Sequence, residues 1–290
     1  MEAFATIRTG VWWERREESS SVSNAGGAIN IRDPEGVISV PIRTDDIVEQ
    51  DGANLTLFRG SDSLLHAPAK LLFETPELAA EFASGLPAES SVAAAKRHGA
   101  FLASRSPNPV SAMALCALLL LEFGYVIAKG TPDPLGLALH RDTLPFPNPT
   151  ALLTSAFHHW SLIHLALNIA FMMILGPLVE RMLGSPKRFL ALFFGSAAFG
   201  AWVSLGLGTG MAPTAGASGG VFGMFGVLLA HYALSPNVGA SQARQGTLLA
   251  LWIIGGNLAV SLLPIFDFPL HLAGLLFGFT AAIPFVAVKR

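Results

Sequence analysis

The chain has 290 residues, 52% of them apolar and 13% charged, with a formal net charge of −2 and a mean hydropathy of +0.53. A charged share near half that of an ordinary soluble domain excludes a wholly water-exposed protein. One cysteine, Cys116, excludes an internal disulfide framework and reads as packing within an apolar run.

The average conceals two halves. Residues 1–107 carry 15 Asp/Glu and 10 Lys/Arg, net −5, whereas residues 108–290 carry 5 and 8, net +3. A step this abrupt marks a domain boundary. The expected organisation is a small soluble cytoplasmic domain over 1–107 and a lipid-embedded domain over 108–290.

Near the N-terminus, Glu2, Arg8, Glu14, Arg15, Arg16, Glu17 and Glu18 interrupt any apolar stretch, which argues against a cleaved secretion signal and a mitochondrial presequence. Trp12 and Trp13 suit either a small core or a membrane-surface anchor. Residues 37–42 and 54–58 read as short strands and residues 76–86 as an amphipathic stretch, giving an α+β domain. The composition of residues 1–30, with Ser19–Ser23 and Gly26–Gly27, also suits partial disorder.

A helix needs roughly 20 mostly apolar residues to cross the hydrocarbon core. Six segments qualify: 110–128, 161–179, 189–207, 216–234, 246–263 and 270–288, with Pro107, Pro109, Pro213, Pro236 and Pro264 among the breaks. Short loops rich in Lys and Arg resist translocation. With the N-terminus inside, Lys96, Arg97, Arg105, Arg181, Lys187, Arg188, Arg244, Lys289 and Arg290 fall inside, and only Lys129 and Arg141 outside. Both termini are therefore expected in the cytoplasm, with a bacterial inner (plasma) membrane as the setting. The first outer loop, 129–160, holds Pro132, Pro134, Pro145, Pro147 and Pro149 and is expected to rest in the membrane interface.

Polar side chains inside a spanning helix are costly unless they find partners or water, so each is a functional candidate. His164 and Asn168, four residues apart, share one face of the second span. Ser218 opens the fourth span and His271 lies in the first turn of the sixth. The topology drawn from Lys and Arg puts all four at one depth under the outer surface. Gly274 and Gly278 let the sixth span approach the fourth closely, where a serine hydroxyl and an imidazole could share the hydrogen bond that activates a nucleophile. His164, the Asn168 amide and the Ser218 backbone N–H are suitable donors to an oxyanion.

The stretches His159-Trp-Ser-Leu-Ile-His164-Leu-Ala-Leu-Asn168, Gly216-Ala-Ser218-Gly219 and His271-Leu-Ala-Gly274-Leu-Leu-Phe-Gly278 resemble the signatures of rhomboid intramembrane serine proteases. Glu180 and Gly184 fit the same pattern, and the resemblance runs from about Thr150 to the C-terminus. It implies an all-α bundle of six transmembrane helices with a Ser218–His271 catalytic dyad. It further implies an oxyanion hole from His164, Asn168 and the backbone of Ser218, and an aromatic ring, Phe222, against His271. Implied substrates are membrane-anchored proteins whose helix unwinds near its outer end. Thr150-Ala151 stands where many bacterial members carry Trp-Arg.

Three other readings bound this one. A catalytically inactive relative would bind membrane helices without cutting them, and a small transporter would place charges at mid-depth. A zinc site is not expected, since neither HExxH nor CxxC spacing occurs; no cofactor or nucleic-acid partner is expected either. Asp267 reads as a solvated loop carboxylate rather than a third catalytic member. Glu122 would snorkel outward or accept a hydrogen bond from Tyr125, and His158 and His159 would tie the first loop to the bundle.

Overall fold

The structure is a computed structural model that describes residues 2–9, 16–25, 28–33, 36–41, 47–51, 53–58, 69–86, 89–106, 108–140, 148–207, 213–236, 238, 240–263 and 266–287. Of the residues singled out above, Trp12, Trp13, Glu14, Arg15, Gly26, Gly27, Pro107, Arg141, Pro145, Pro147, Pro264, Lys289 and Arg290 lie outside that set. The chain divides into two compact units, residues 1–99 with 236–246, and residues 100–235 with 247–290.

The first unit is built on a sheet of eight strands: β1 (Glu2–Thr9), β2 (Arg16–Ala25), β3 (Ala28–Asp33), β4 (Gly36–Pro41), β5 (Ile47–Asp51), β6 (Asn54–Phe58), β7 (Ala69–Phe73) and β8 (Glu89–Ser90). Their order is β4-β3-β2-β1-β7-β6-β5-β8, and every pairing is antiparallel except β5 with β8. Helix α1 (Pro76–Ser84) starts where Thr75 Oγ1 accepts the N–H of Leu78 at 3.3 Å, with Pro76 in the first turn, where its missing N–H has no partner to lose. Alternation along β6 and β7 points Leu55, Leu57, Leu71 and Phe73 to one face, and Ala79 and Phe82 of α1 close over it. The Phe73 and Phe82 rings meet at 5.2 Å. Strands β4 and β6 and helix α1 correspond to the runs read from the sequence, while β1, β2 and part of β3 occupy residues whose composition also suited disorder.

The boundary between the units falls inside α2 (Ser91–Arg105). The second unit is helical: α3 (Ser111–Lys129), α4 (Pro149–Thr154), α5 (Leu162–Leu183), α6 (Pro186–Leu207), α7 (Ser218–Leu234), α8 (Ala240–Val260, its first turns in the other unit) and α9 (Phe268–Val286). Among the described residues, α3, α5, α6 and α9 are long and apolar enough to cross a bilayer; α7 is apolar but shorter, at 17 residues. Leu121, Ile163 and Trp252 are 70%, 75% and 82% exposed. Side chains of this kind facing outward on several helices suit hydrocarbon, not water, and the chain is an integral membrane protein.

Helix α7 is the axis of this unit, buried along nearly its whole length. Glycine makes that possible. A Cβ on Gly274 or Gly278 of α9 would overlap the carbonyl oxygen of Gly219 or Gly223 on α7, so the two backbones touch directly. On the other side, Phe193 of α6 fills the space beside Gly220.

Two expectations are corrected. Glu122 neither snorkels nor pairs with Tyr125: it is buried, with Oε1 2.8 Å from Nδ1 of a fully buried His158, which fastens the segment between α4 and α5 to α3. Asp267 is not a solvated loop carboxylate. It caps α9, accepting the N–H of Leu270 at 3.1 Å, and it also accepts the hydroxyls of Ser204 and Thr214. Thr214 is in turn paired through its backbone with Leu139, 2.8 and 2.9 Å, so one network joins the first loop, the α6–α7 connection and the start of α9. At the opposite end of the unit, buried Glu180 accepts the Ser106 hydroxyl at 3.0 Å and the N–H of Ser111 at 3.1 Å.

Candidate active site

Ser218 is the first residue of α7, and the turn before it depends on Gly216. That residue has φ = +120°, and a Cβ there would sit 2.6 Å from His164 Cε1, so only glycine fits. The first intrahelical bond of α7 runs from Val221 N to Ala217 O at 3.0 Å. The N–H groups of Ser218, Gly219 and Gly220 therefore have no partner inside the helix, and they form its electropositive end.

His159 fixes the position of that end. Its Nε2 accepts the N–H of Ala217 at 3.3 Å, while its Nδ1 donates to Phe157 O at 3.0 Å, a pattern available only to the neutral ring. Burial, reinforced by the neighbouring His164, pushes the His159 imidazole down to about 3. The residue expected to hold the first loop thus also holds the helix start that carries Ser218.

His271 Nε2 lies 2.9 Å from Ser218 Oγ across 53 residues of sequence. Phe222, one turn into α7, stacks on the His271 ring with centroids 4.2 Å apart and planes 9° from parallel. The other face of the imidazole's chemistry is met by a residue that sequence reasoning passed over: Ser261 Oγ, just past the end of α8, lies 2.7 Å from His271 Nδ1. Ser261 Oγ also donates to Asn257 O at 2.7 Å.

A cavity of about 310 Å³ opens on this pair. Its lining brings together His164, Asn168, Ser218, Ser261 and His271 with apolar Leu167, Phe171, Val221 and Phe225. The Asn168 side-chain amide donates to His164 O at 2.9 Å, and the His164 N–H is capped by Ser161 Oγ at 3.2 Å. His164 also meets the His159 ring edge-on at 4.9 Å. Asp267 stays apart from the imidazole, its carboxylate engaged by Ser204, Thr214 and the α9 N-terminus.

Fold and cleft together define a helical membrane protein with a hydroxyl–imidazole pair in its core. Residues 148–288, just under half of the chain, match the family model described as Rhomboid domain, and that stretch is similar to the rhomboid family. It is 33% identical over 129 residues to RHOMBOID-like protein 6, mitochondrial, of Arabidopsis thaliana, covering 44% of this chain and 41% of that protein. It is 36% identical over 133 residues to Rhomboid protease GluP of Bacillus subtilis (strain 168), covering 45% of this chain and 25% of that protein. The similarity thus spans less than half the length of either relative.

Proposed function

We propose that the chain is an intramembrane serine protease in which Ser218 is the nucleophile and His271 its base. The observation that carries the proposal is the 2.9 Å approach of His271 Nε2 to Ser218 Oγ beside a cavity large enough for a side chain. Ser218 Oγ adds to the scissile carbonyl carbon as its proton passes to His271 Nε2. The carbonyl electron pair becomes an oxyanion at the N-terminus of α7, where the Ser218 N–H, the Asn168 amide and His164 are the stabilising donors. Collapse breaks the C–N bond, and the leaving nitrogen takes the proton back from His271. Water then cleaves the Ser218 ester by the same exchange, with His271 as base and afterwards as acid.

The substrates in this reading are membrane-anchored proteins whose transmembrane helix unwinds readily near its outer end. Six spans, with α7 and α8 crossing beside the four longer or more apolar helices, bring Ser218 and His271 under the outer face. The excess of Lys and Arg on the other face orients both termini to the cytoplasm of a bacterial cell. Residues 1–107 form a cytoplasmic module that regulates the membrane domain or recruits partners to it. Reconstituted protein should cleave a single-span reporter with a Gly/Pro-weakened outer end, and Ser218→Ala should abolish that cleavage while its thermal unfolding stays unchanged. Undiminished cleavage by the variant overturns the assignment.

A further inference from the structure

The hydrogen-bond arithmetic around His271 assigns a task to Ser261. A serine hydroxyl has one proton to give. At Ser261 the carbonyl oxygen of Asn257, 2.7 Å away, can only accept, so the hydroxyl proton points there. Toward His271 Nδ1, also at 2.7 Å, the Ser261 oxygen is then left as an acceptor. Nδ1 must carry the imidazole proton, which leaves a lone pair on Nε2, the nitrogen that faces Ser218 Oγ at 2.9 Å.

We propose that Ser261 is a positioning residue that fixes His271 as the Nδ1–H tautomer and aims its Nε2 lone pair at the Ser218 hydroxyl. The relay reads in one direction: Ser218 O–H to His271 Nε2, His271 Nδ1–H to Ser261 Oγ, Ser261 O–H to Asn257 O. At its far end Asn257 O, in the last turn of α8, accepts the Ser261 backbone N–H at 3.0 Å with one lone pair and the Ser261 hydroxyl at 2.7 Å with the other. When His271 takes the Ser218 proton, Nδ1–H becomes a stronger donor, and Ser261 is already in place to receive it. Among the described residues no carboxylate performs this service, and Asp267 is occupied elsewhere. Ser261 and Phe222 divide the work, one fixing the ring's rotation through an edge contact and the other its plane through a face.

The consequence for turnover rests on the protease reading above; the tautomer does not. The test is ¹⁵N NMR of histidine-labelled full-length protein in bilayer discs at a pH where the ring is neutral, with the His271 signals assigned by their loss in His271→Gln. Alongside it runs the rate at which a fluorophosphonate probe labels Ser218. The wild type should show protonated Nδ1 and unprotonated Nε2. Ser261→Ala should show mixed tautomers and label about tenfold more slowly, the worth of one hydrogen bond, and Ser261→Thr should restore both. If Ser261→Ala does not fold, Ser261→Cys, with a weak acceptor of similar size, is read in its place and should behave as the alanine variant. A wild-type spectrum with the proton on Nε2, or a variant that keeps both tautomer and labelling rate, overturns the proposal. A wild type with the expected tautomer that neither reacts with the probe nor cleaves any reporter counts against the protease reading instead, and supports the assignment of Ser261.

Discussion

Phe222 lies flat against His271, 4.2 Å between ring centroids, so the imidazole is sandwiched in orientation by a side chain from the same helix that presents Ser218. One helix, α7, therefore supplies both the hydroxyl and the ring face that His271 rests on. Phe222→Leu keeps most of the buried bulk but removes the stacking surface, a contact of about 0.5–1.5 kcal/mol. The expected outcome is a several-fold fall in kcat with KM little changed, measured on reconstituted protein with a single-span reporter. An unchanged kcat would show that the stack plays no part in aiming the imidazole.

The α7–α9 contact has no room for a side chain. Gly278→Ala should drive its methyl into the Gly223 carbonyl and force the helices apart, at roughly 1–3 kcal/mol of stability. Because that separation also stretches the Ser218–His271 approach, probe labelling of Ser218 should slow in the folded variant. Gly255→Ala on α8, where an added Cβ meets nothing within 4 Å, is the control and should leave stability and labelling as they were.

His158 and Glu122 form a buried pair 36 residues apart, and removing one partner leaves the other without its hydrogen bond inside the protein. Glu122→Ala should lower stability by about 1–3 kcal/mol, read by thermal unfolding in detergent. The double variant Glu122→Ala/His158→Phe should lose less than the sum of the two single changes. Full additivity would mean the pair contributes nothing of its own.

His159 makes stability pH-dependent. Its folded-state value, about 3, lies below the ordinary 6.5 of the unfolded chain, so folding favours the neutral ring. Stability is unaffected above about pH 6.5 and falls as pH drops toward 3, by about 2 kcal/mol at pH 5 from this group. His159→Gln keeps an acceptor for the Ala217 N–H but does not titrate. It should show a shallower decline between pH 6.5 and 5 than the wild type, and an identical slope would remove His159 from the account.

How much of this was legible in the sequence depended on whether a residue's partner was near in sequence or signalled by pattern. Gly274 and Gly278 announce a close helix crossing by spacing alone, and depth inferred from Lys and Arg set Ser218 and His271 at one level. Ser261 gave no signal: a serine closing an apolar helix is commonplace, and its task exists only because the end of α8 returns beside the first turn of α9. Asp267 and Glu122 were misread for a related reason, since Ser204, Thr214 and His158 approach them from distant segments. Helix α4 is a single six-residue piece inside a proline-rich loop, too short to leave a period. In the sheet, β2 reads Arg-Glu-Glu-Ser-Ser-Ser-Val-Ser-Asn-Ala, polar except for Val22 and Ala25, so no hydrophobic alternation marks it as a strand.

The most direct measurement is the reaction of a fluorophosphonate with the intact protein in bilayer discs, with the modified peptide located by mass spectrometry. A hydroxyl activated by a neighbouring imidazole should give a single adduct on Ser218 in the wild type, and His271→Ala should slow its formation by at least about a hundredfold. An adduct on another serine, or one on Ser218 that forms as fast without His271, would contradict the account.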